Sequence, residues 1–141
     1  MNTMNNKILW LEDNKIEIEA LHDQLVEAGY IIKIVKSTED AIEQLVQNDW
    51  DFVFFDSRLG GNSTAGADLY LRLMGGEDQL SEKIKKIPFM FITGYSKDVF
   101  KILQTGNVKN MPEIKVKPIV SRKEIAAFII IIKRLYDYLQ G

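Results

Sequence analysis

Residues 51–56 read Asp51-Phe52-Val53-Phe54-Phe55-Asp56, four consecutive large apolar residues closed at each end by a carboxylate. A strand with one face in water alternates apolar with polar side chains, so an unbroken apolar run implies a strand covered on both faces. Short apolar runs recur at residues 8–11, 31–35, 88–92 and 114–116. Each is followed by a stretch of helical periodicity. Ile18, Leu21, Leu25 and Ala28 mark the inner face of a first helix, and Gly29 supplies its stop. A second starts near Ser37-Thr38-Glu39-Asp40 and turns Ala41, Ile42, Leu45 and Val46 inward.

Ala67, Tyr70, Leu71 and Met74 define a third helix, which ends at Gly75-Gly76. A fourth, over residues 96–104, directs Val99, Ile102 and Leu103 to the core. Ser121-Arg122-Lys123-Glu124 is a capping box for a fifth, running to residue 139. Regular βα alternation implies a parallel sheet with right-handed crossovers and helices on both faces. Five strands suit the flavodoxin-like order 2-1-3-4-5, in an α/β domain spanning residues 1–141 with its core over 7–139. Ligands of such sheets bind at the carboxyl ends of the strands, beside the switch point between strands 1 and 3.

Composition narrows the chemistry. Hydrophobic residues make up 46% and charged residues 27%, as in ordinary globular domains. The net charge of −2 and the lack of a basic block give no reason to expect nucleic acid as a partner. With no cysteine there is no disulfide scaffold, thiolate zinc site or cysteine nucleophile, which suits a reducing cytoplasm. The polar segment 1–6 is not a signal peptide, and the longest apolar run, residues 125–132, is too short to span a membrane. The lone His22 reads as a surface or boundary residue.

The strand ends carry the functional signal. Strand 1 runs into Glu12-Asp13, strand 3 into Asp56, strand 4 into Thr93-Gly94 and strand 5 into Lys117-Pro118. Carboxylates crowded to ~4 Å repel by roughly 1 kcal/mol in water and about 4 kcal/mol at an effective dielectric of 20. A divalent cation relieves that repulsion, and an all-oxygen donor set favours Mg²⁺, Mn²⁺ or Ca²⁺ over zinc. Magnesium keeps coordination positions for phosphate oxygens. Lys117 and the Thr93 hydroxyl are suited to receive those oxygens, and Asp56 is central enough to attack a phosphoryl donor. Taken singly, each residue also reads as a cap or loop charge, Asp13 above all as a cap for the first helix.

The ordered set resembles the receiver domains of two-component response regulators over nearly the whole chain, from Lys7 to Leu139. The resemblance implies that Asp56 is the phosphorylation site. It implies Mg²⁺ (Mn²⁺ as a substitute) held by Glu12, Asp13, Asp56 and the backbone carbonyl of Arg58. Thr93 would be the switch hydroxyl and Lys117 would pair with the phosphoryl group. It further implies a cytoplasmic signalling protein, not an ordinary enzyme. Its partners would be a histidine kinase or histidine phosphotransfer protein and a downstream protein target, with no nucleic acid and no membrane.

Two positions depart from the receiver pattern. Gly60 stands where receivers often carry proline, and Ile114 where they commonly place a switch Tyr or Phe. The segment 75–86 is also long for this crossover. Ile114 keeps open an alternative, a pseudo-receiver acting as a phosphorylation-independent docking or scaffold domain. A flavin site is excluded by the acidic pair after strand 1, which would repel a flavin phosphate. A P-loop is excluded because no Gly-Lys-Ser/Thr ends the glycine-rich stretch 60–66. Haloacid-dehalogenase chemistry needs an aspartate where Arg58 stands. The fifth helix uses up this sequence, so the expected output is a surface that another protein reads, or a partner domain outside it. Ala127, Ile130, Ile131 and Tyr138 add apolar area outside its buried stripe of Ile125, Phe128, Ile129, Ile132, Leu135 and Leu139. A homodimer through the face of helix 4, strand 5 and helix 5 is one expectation for that surface.

Overall fold

The structure is a computed structural model, and it describes residues 6–76, 78–106, 112–117, 119 and 121–140. Five parallel strands, β1 (Lys7–Leu11), β2 (Ile31–Val35), β3 (Phe52–Phe55), β4 (Phe89–Thr93) and β5 (Glu113–Val116), form one sheet in the order β2-β1-β3-β4-β5. This is the sheet expected from the sequence, with Thr93 as the last residue of β4 instead of the first beyond it. Pro118 lies outside the described residues.

Side chains of the inner strands alternate between two cores. Leu9, Leu11, Val53, Phe55, Phe89 and Phe91 face one layer, while Ile8, Trp10, Phe52, Phe54, Met90 and Ile92 face the other. The first layer is closed by α2 (Thr38–Gln47), α3 (Ala65–Met74), α4 (Gln79–Ile84) and α5 (Ser96–Thr105). The second is closed by α1 (Glu19–Glu27), preceded by a 3-10 turn at Lys15–Ile18, and by α6 (Arg122–Gln140). Apolar continuity in β1, β3 and β4 therefore has the cause assigned to it, burial on both faces.

The capping signals also hold. Ser37 Oγ accepts from Asp40 N at 3.1 Å to start α2, and Ser121 Oγ accepts from Glu124 N at 3.1 Å to start α6. Three inward assignments do not hold. Ala28 and Val46 are exposed, and Leu139 is more than a third exposed. Each sits at the end of its helix, where the stripe continues but the sheet beneath it stops. Conversely, Leu69 and Leu73 are buried on α3, which packs over more of its circumference than its first stripe suggested.

The long crossover holds α4, which makes six helices instead of five among the described residues. Asp78 caps it through Ser81 N at 2.8 Å, and Ile84 fills the core beneath. Lys83 then reaches across to the carbonyls of Leu45 and Asn48 at 3.0 and 2.8 Å. These carbonyls belong to the C-terminal end of α2, so α4 supplies a cationic cap to α2.

Candidate functional site

The carboxyl edge gathers the residues that sequence reasoning placed there. Parallel register sets Leu11 beside Phe55, so the residues after β1 and β3 leave the sheet side by side. Asp56 N donates to Leu11 O at 2.8 Å, and Glu12 N donates to Val35 O at 2.9 Å, fixing both backbones. One carboxylate oxygen from each of Glu12, Asp13 and Asp56 lies within 4.8 Å of the others. Glu12 and Asp56 are buried, while Asp13 is exposed.

Lys117 binds two of the three. Its Nζ donates to Glu12 Oε1 at 2.8 Å and to Asp56 Oδ2 at 2.9 Å, and Glu17 Oε2 stands 3.7 Å away. The backbone of Lys117 is tied to β4 through its N–H to Thr93 O at 3.2 Å. Thr93 is fully buried, and its Oγ1 accepts from Tyr95 N at 3.1 Å, which leaves the hydroxyl proton free to donate.

Electrostatics follow from this crowding. Burial, with the nearby Asp56 charge, pushes the Glu12 carboxyl from 4.5 up to about 7 against the opposing hydrogen bond from Lys117. Burial alone would lower the Lys117 ammonium, but its bonds to Glu12 and Asp56 outweigh that and hold it above its usual value. Three carboxylates face one ammonium at closest range, so negative charge is left over when all are ionised.

The loop after β3 forms the rest of the rim. Asp13 does not cap α1; its Oδ2 accepts instead from Gly60 N at 2.8 Å. The Arg58 N–H leans on Asp56 Oδ1 at 3.3 Å, and the Arg58 guanidinium bonds the Tyr95 hydroxyl while lying 5.4 Å from that ring's centre. Gly66, the second residue of α3, lies directly behind Asp56. A Cβ there would fall 2.1 Å from the Asp56 carbonyl oxygen, so only glycine lets helix and strand meet this closely.

Ile114 lies opposite Phe91 in β5 and is half-buried against the first core layer. Sequence reasoning missed Glu17 and the Gly60 amide; Arg58 and Tyr95 read as bulky neighbours of Asp56, and only their bond to each other was missed. Of these, only Gly60-Gly61 carried a local signal, a glycine pair suited to a tight turn. His22 is a partly covered boundary residue whose Nδ1 lies 3.0 Å from Asp23 Oδ1.

No family model and no curated protein sequence matches the chain. Solved structures do. A CheY-like response regulator receiver domain protein from Methanospirillum hungatei JF-1 aligns at a TM-score of 0.71 and 16% identity, over 97% of this chain and 98% of that one. The receiver domain of sensor histidine kinase PA1611 from Pseudomonas aeruginosa PAO1 was solved with a magnesium ion coordinated in its active-site cleft. It aligns at 0.71 and 20% identity, over 95% of this chain and 99% of that one. The non-phosphorylated HemR receiver domain from Leptospira biflexa aligns at 0.64 and 23% identity, over 93% and 94%. Strand order, layer arrangement and near-complete mutual coverage together give this chain the receiver-domain fold.

Proposed function

We propose that the chain is a phosphoacceptor signalling domain in which Asp56 takes a phosphoryl group from a histidine kinase or histidine phosphotransfer protein. The observation that carries this reading is the Lys117 ammonium shared between buried Glu12 and buried Asp56. Burying two carboxylates and an ammonium costs several kcal/mol per ion by rough account, more than a merely structural contact needs. A site for a highly charged group needs that arrangement.

The donor set fits a magnesium ion. Glu12, Asp13 and Asp56 supply hard oxygen ligands within reach of one another, with charge left uncompensated by Lys117. The Arg58 carbonyl would join them, and Mn²⁺ would substitute. When bound, the ion supplies charge neutralisation to phosphoryl oxygens beside the Asp56 carboxylate. An Asp56 oxygen attacks phosphorus as the bond to the donor imidazole breaks, and the electron pair leaves on the imidazole nitrogen. Lys117 exchanges its Asp56 contact for a phosphoryl oxygen, and the Thr93 hydroxyl donates to another. These movements at the ends of β4 and β5 alter the surface that a downstream protein reads. Exposed Phe100 on α5 and Ile130 on α6 support pairing of the α5–β5–α6 face with a second copy, which sedimentation with and without a phosphoryl analogue tests. Among the described residues no helix is long and apolar enough to cross a membrane.

A second reading, a docking domain that works without phosphorylation, is favoured by Ile114, an aliphatic residue half-buried against the core where receivers commonly carry a swinging aromatic. Incubation with acetyl phosphate and Mg²⁺ followed by intact mass separates the two. An adduct of one phosphoryl group that is lost in Asp56→Asn supports the first reading. No adduct on the unaltered chain refutes it and leaves the docking reading.

A further inference from the structure

The segment between β3 and α3 is a built structure. Leu59 and Asn62 exchange backbone hydrogen bonds, both at 3.0 Å, around Gly60 at φ 55° and Gly61 at φ 88°. Two successive left-handed residues inside one reciprocal pair make a two-residue hairpin turn of the primed type. Its base is fastened by Ser57 Oγ to Ser63 O at 2.7 Å and by Gly66 N to Ser57 O at 2.9 Å. Leu59 is buried in the core, and Asn62 Oδ1 accepts from Thr64 N at 3.0 Å.

Within such a turn the ladder uses the N–H groups of the flanking residues and leaves the first central N–H free. That free group is Gly60 N–H, and it donates to Asp13 Oδ2 at 2.8 Å. Proline at this position could neither adopt the positive φ nor donate. Asp13 is the exposed member of the acidic trio, so its side chain has no packing to fix its rotamer. A carboxylate with one oxygen held by a backbone amide still offers the other to a cation, and most of its ordering cost is met before the cation arrives.

We propose that the Gly60-Gly61 turn is a positioning element for the metal site, with the Gly60 N–H holding Asp13 in its ligating orientation. This rests on the metal-dependent reading of the carboxylate trio. By linkage, whatever the turn adds to cation affinity the cation returns as stability of the turn.

The test is Mg²⁺ titration of the full chain followed by amide resonances, with hydrogen exchange at Gly60 measured with and without saturating Mg²⁺. Two substitutions accompany it. Gly60→Asn keeps the N–H, tolerates positive φ and meets open space, since nothing lies within 4 Å of a Cβ there. Gly60→Pro removes the donor and the turn. Mg²⁺ affinity is expected to fall about tenfold in Gly60→Pro, the size of one charge-assisted hydrogen bond, and to stay within about twofold in Gly60→Asn. Exchange at the Gly60 amide of the unaltered chain is expected to slow when Mg²⁺ binds. Equal affinity in a folded Gly60→Pro, or Gly60 exchange that is unchanged or faster with Mg²⁺, overturns this proposal alone. Should Gly60→Pro not fold, the exchange measurement decides. An unaltered chain that binds no Mg²⁺ overturns both this proposal and the metal-dependent reading beneath it.

Discussion

Asp51 and Asp56 are the same residue type at the two ends of one strand, yet the sheet treats them differently. At the amino end, Asp51 is half-buried, and its Oδ2 accepts the Lys7 N–H at 2.9 Å, joining β3 to the start of β1. Its neighbours are aromatic. The Phe52 and Tyr136 rings meet at a tilt with centroids 5.6 Å apart, and burial followed by the charges of Asp51 and Asp137 holds the Tyr136 phenol above its usual value. At the carboxyl end, Asp56 is buried among Glu12, Asp13 and Lys117. The first aspartate mends a strand edge, whereas the second belongs to a charged cluster whose members repel unless something further is bound. The difference comes from topology: in a parallel sheet every strand delivers its carboxyl end to the same edge, so residues remote in sequence meet there.

The most severe way to break this contrast is to neutralise each aspartate in turn. Asp56→Asn is expected to abolish the acetyl phosphate adduct seen by intact mass, while Asp51→Asn leaves it in place. If both variants kept the adduct, the acceptor would lie elsewhere. The next largest effect concerns pH. Glu12 holds its proton up to about 7 in the folded chain and only to 4.5 in the unfolded one. Between those values folding takes up a proton, so the contribution of Glu12 to stability without metal falls as pH rises through that window, and the loss is complete above it. A cation must displace the same proton, so Mg²⁺ affinity is expected to rise by up to about tenfold per pH unit below pH 7 and then level off. Titrations at several pH values check this, and Glu12→Gln removes the slope.

A smaller effect is expected at the other end. Asp51→Ala removes one hydrogen bond to Lys7 and is expected to cost about 1 kcal/mol in denaturant unfolding, with Mg²⁺ affinity unchanged. The smallest concerns the rim. The Arg58 and Tyr95 side chains pair beside Asp56, where their bulk is expected to hinder attacking water. Tyr95→Ala is expected to shorten the lifetime of the aspartyl phosphate a few-fold, read as the decay of the mass adduct.

Much of this was legible because doubly covered strands cannot hide their composition. Phe52 to Phe55 and Phe89 to Ile92 announce two-sided burial, and the strand ends then name the site. Helix ends were less readable. Val46 and Leu139 keep the inward phase of their helices, but no periodicity reports where the neighbouring layer ends. The six-residue α4 was invisible for a related reason, since one and a half turns give too few apolar positions to set a period, and only the Asp78–Ser81 cap hints at it. At the site, the sequence brought Glu12, Asp56 and Lys117 to one edge. That a single ammonium serves both buried carboxylates, with Glu17 behind it, depends on side-chain reach that linear spacing does not encode.

Trp10 stands opposite Phe54 in the sheet, its ring edge-on at 5.1 Å, fully enclosed and with no partner for its indole N–H among the described residues. The chain's second indole, Trp50, is only partly covered and donates to Gln44 O at 3.0 Å. One chromophore therefore emits from a fully buried setting two residues below Glu12 on β1, and the other from a partly covered, hydrogen-bonded setting at the opposite end of the sheet. The protein carries its own pair of optical reporters. Unfolding should shift the Trp10 emission to the red, and the Trp10→Phe variant would leave Trp50 as the internal reference against which that shift is read.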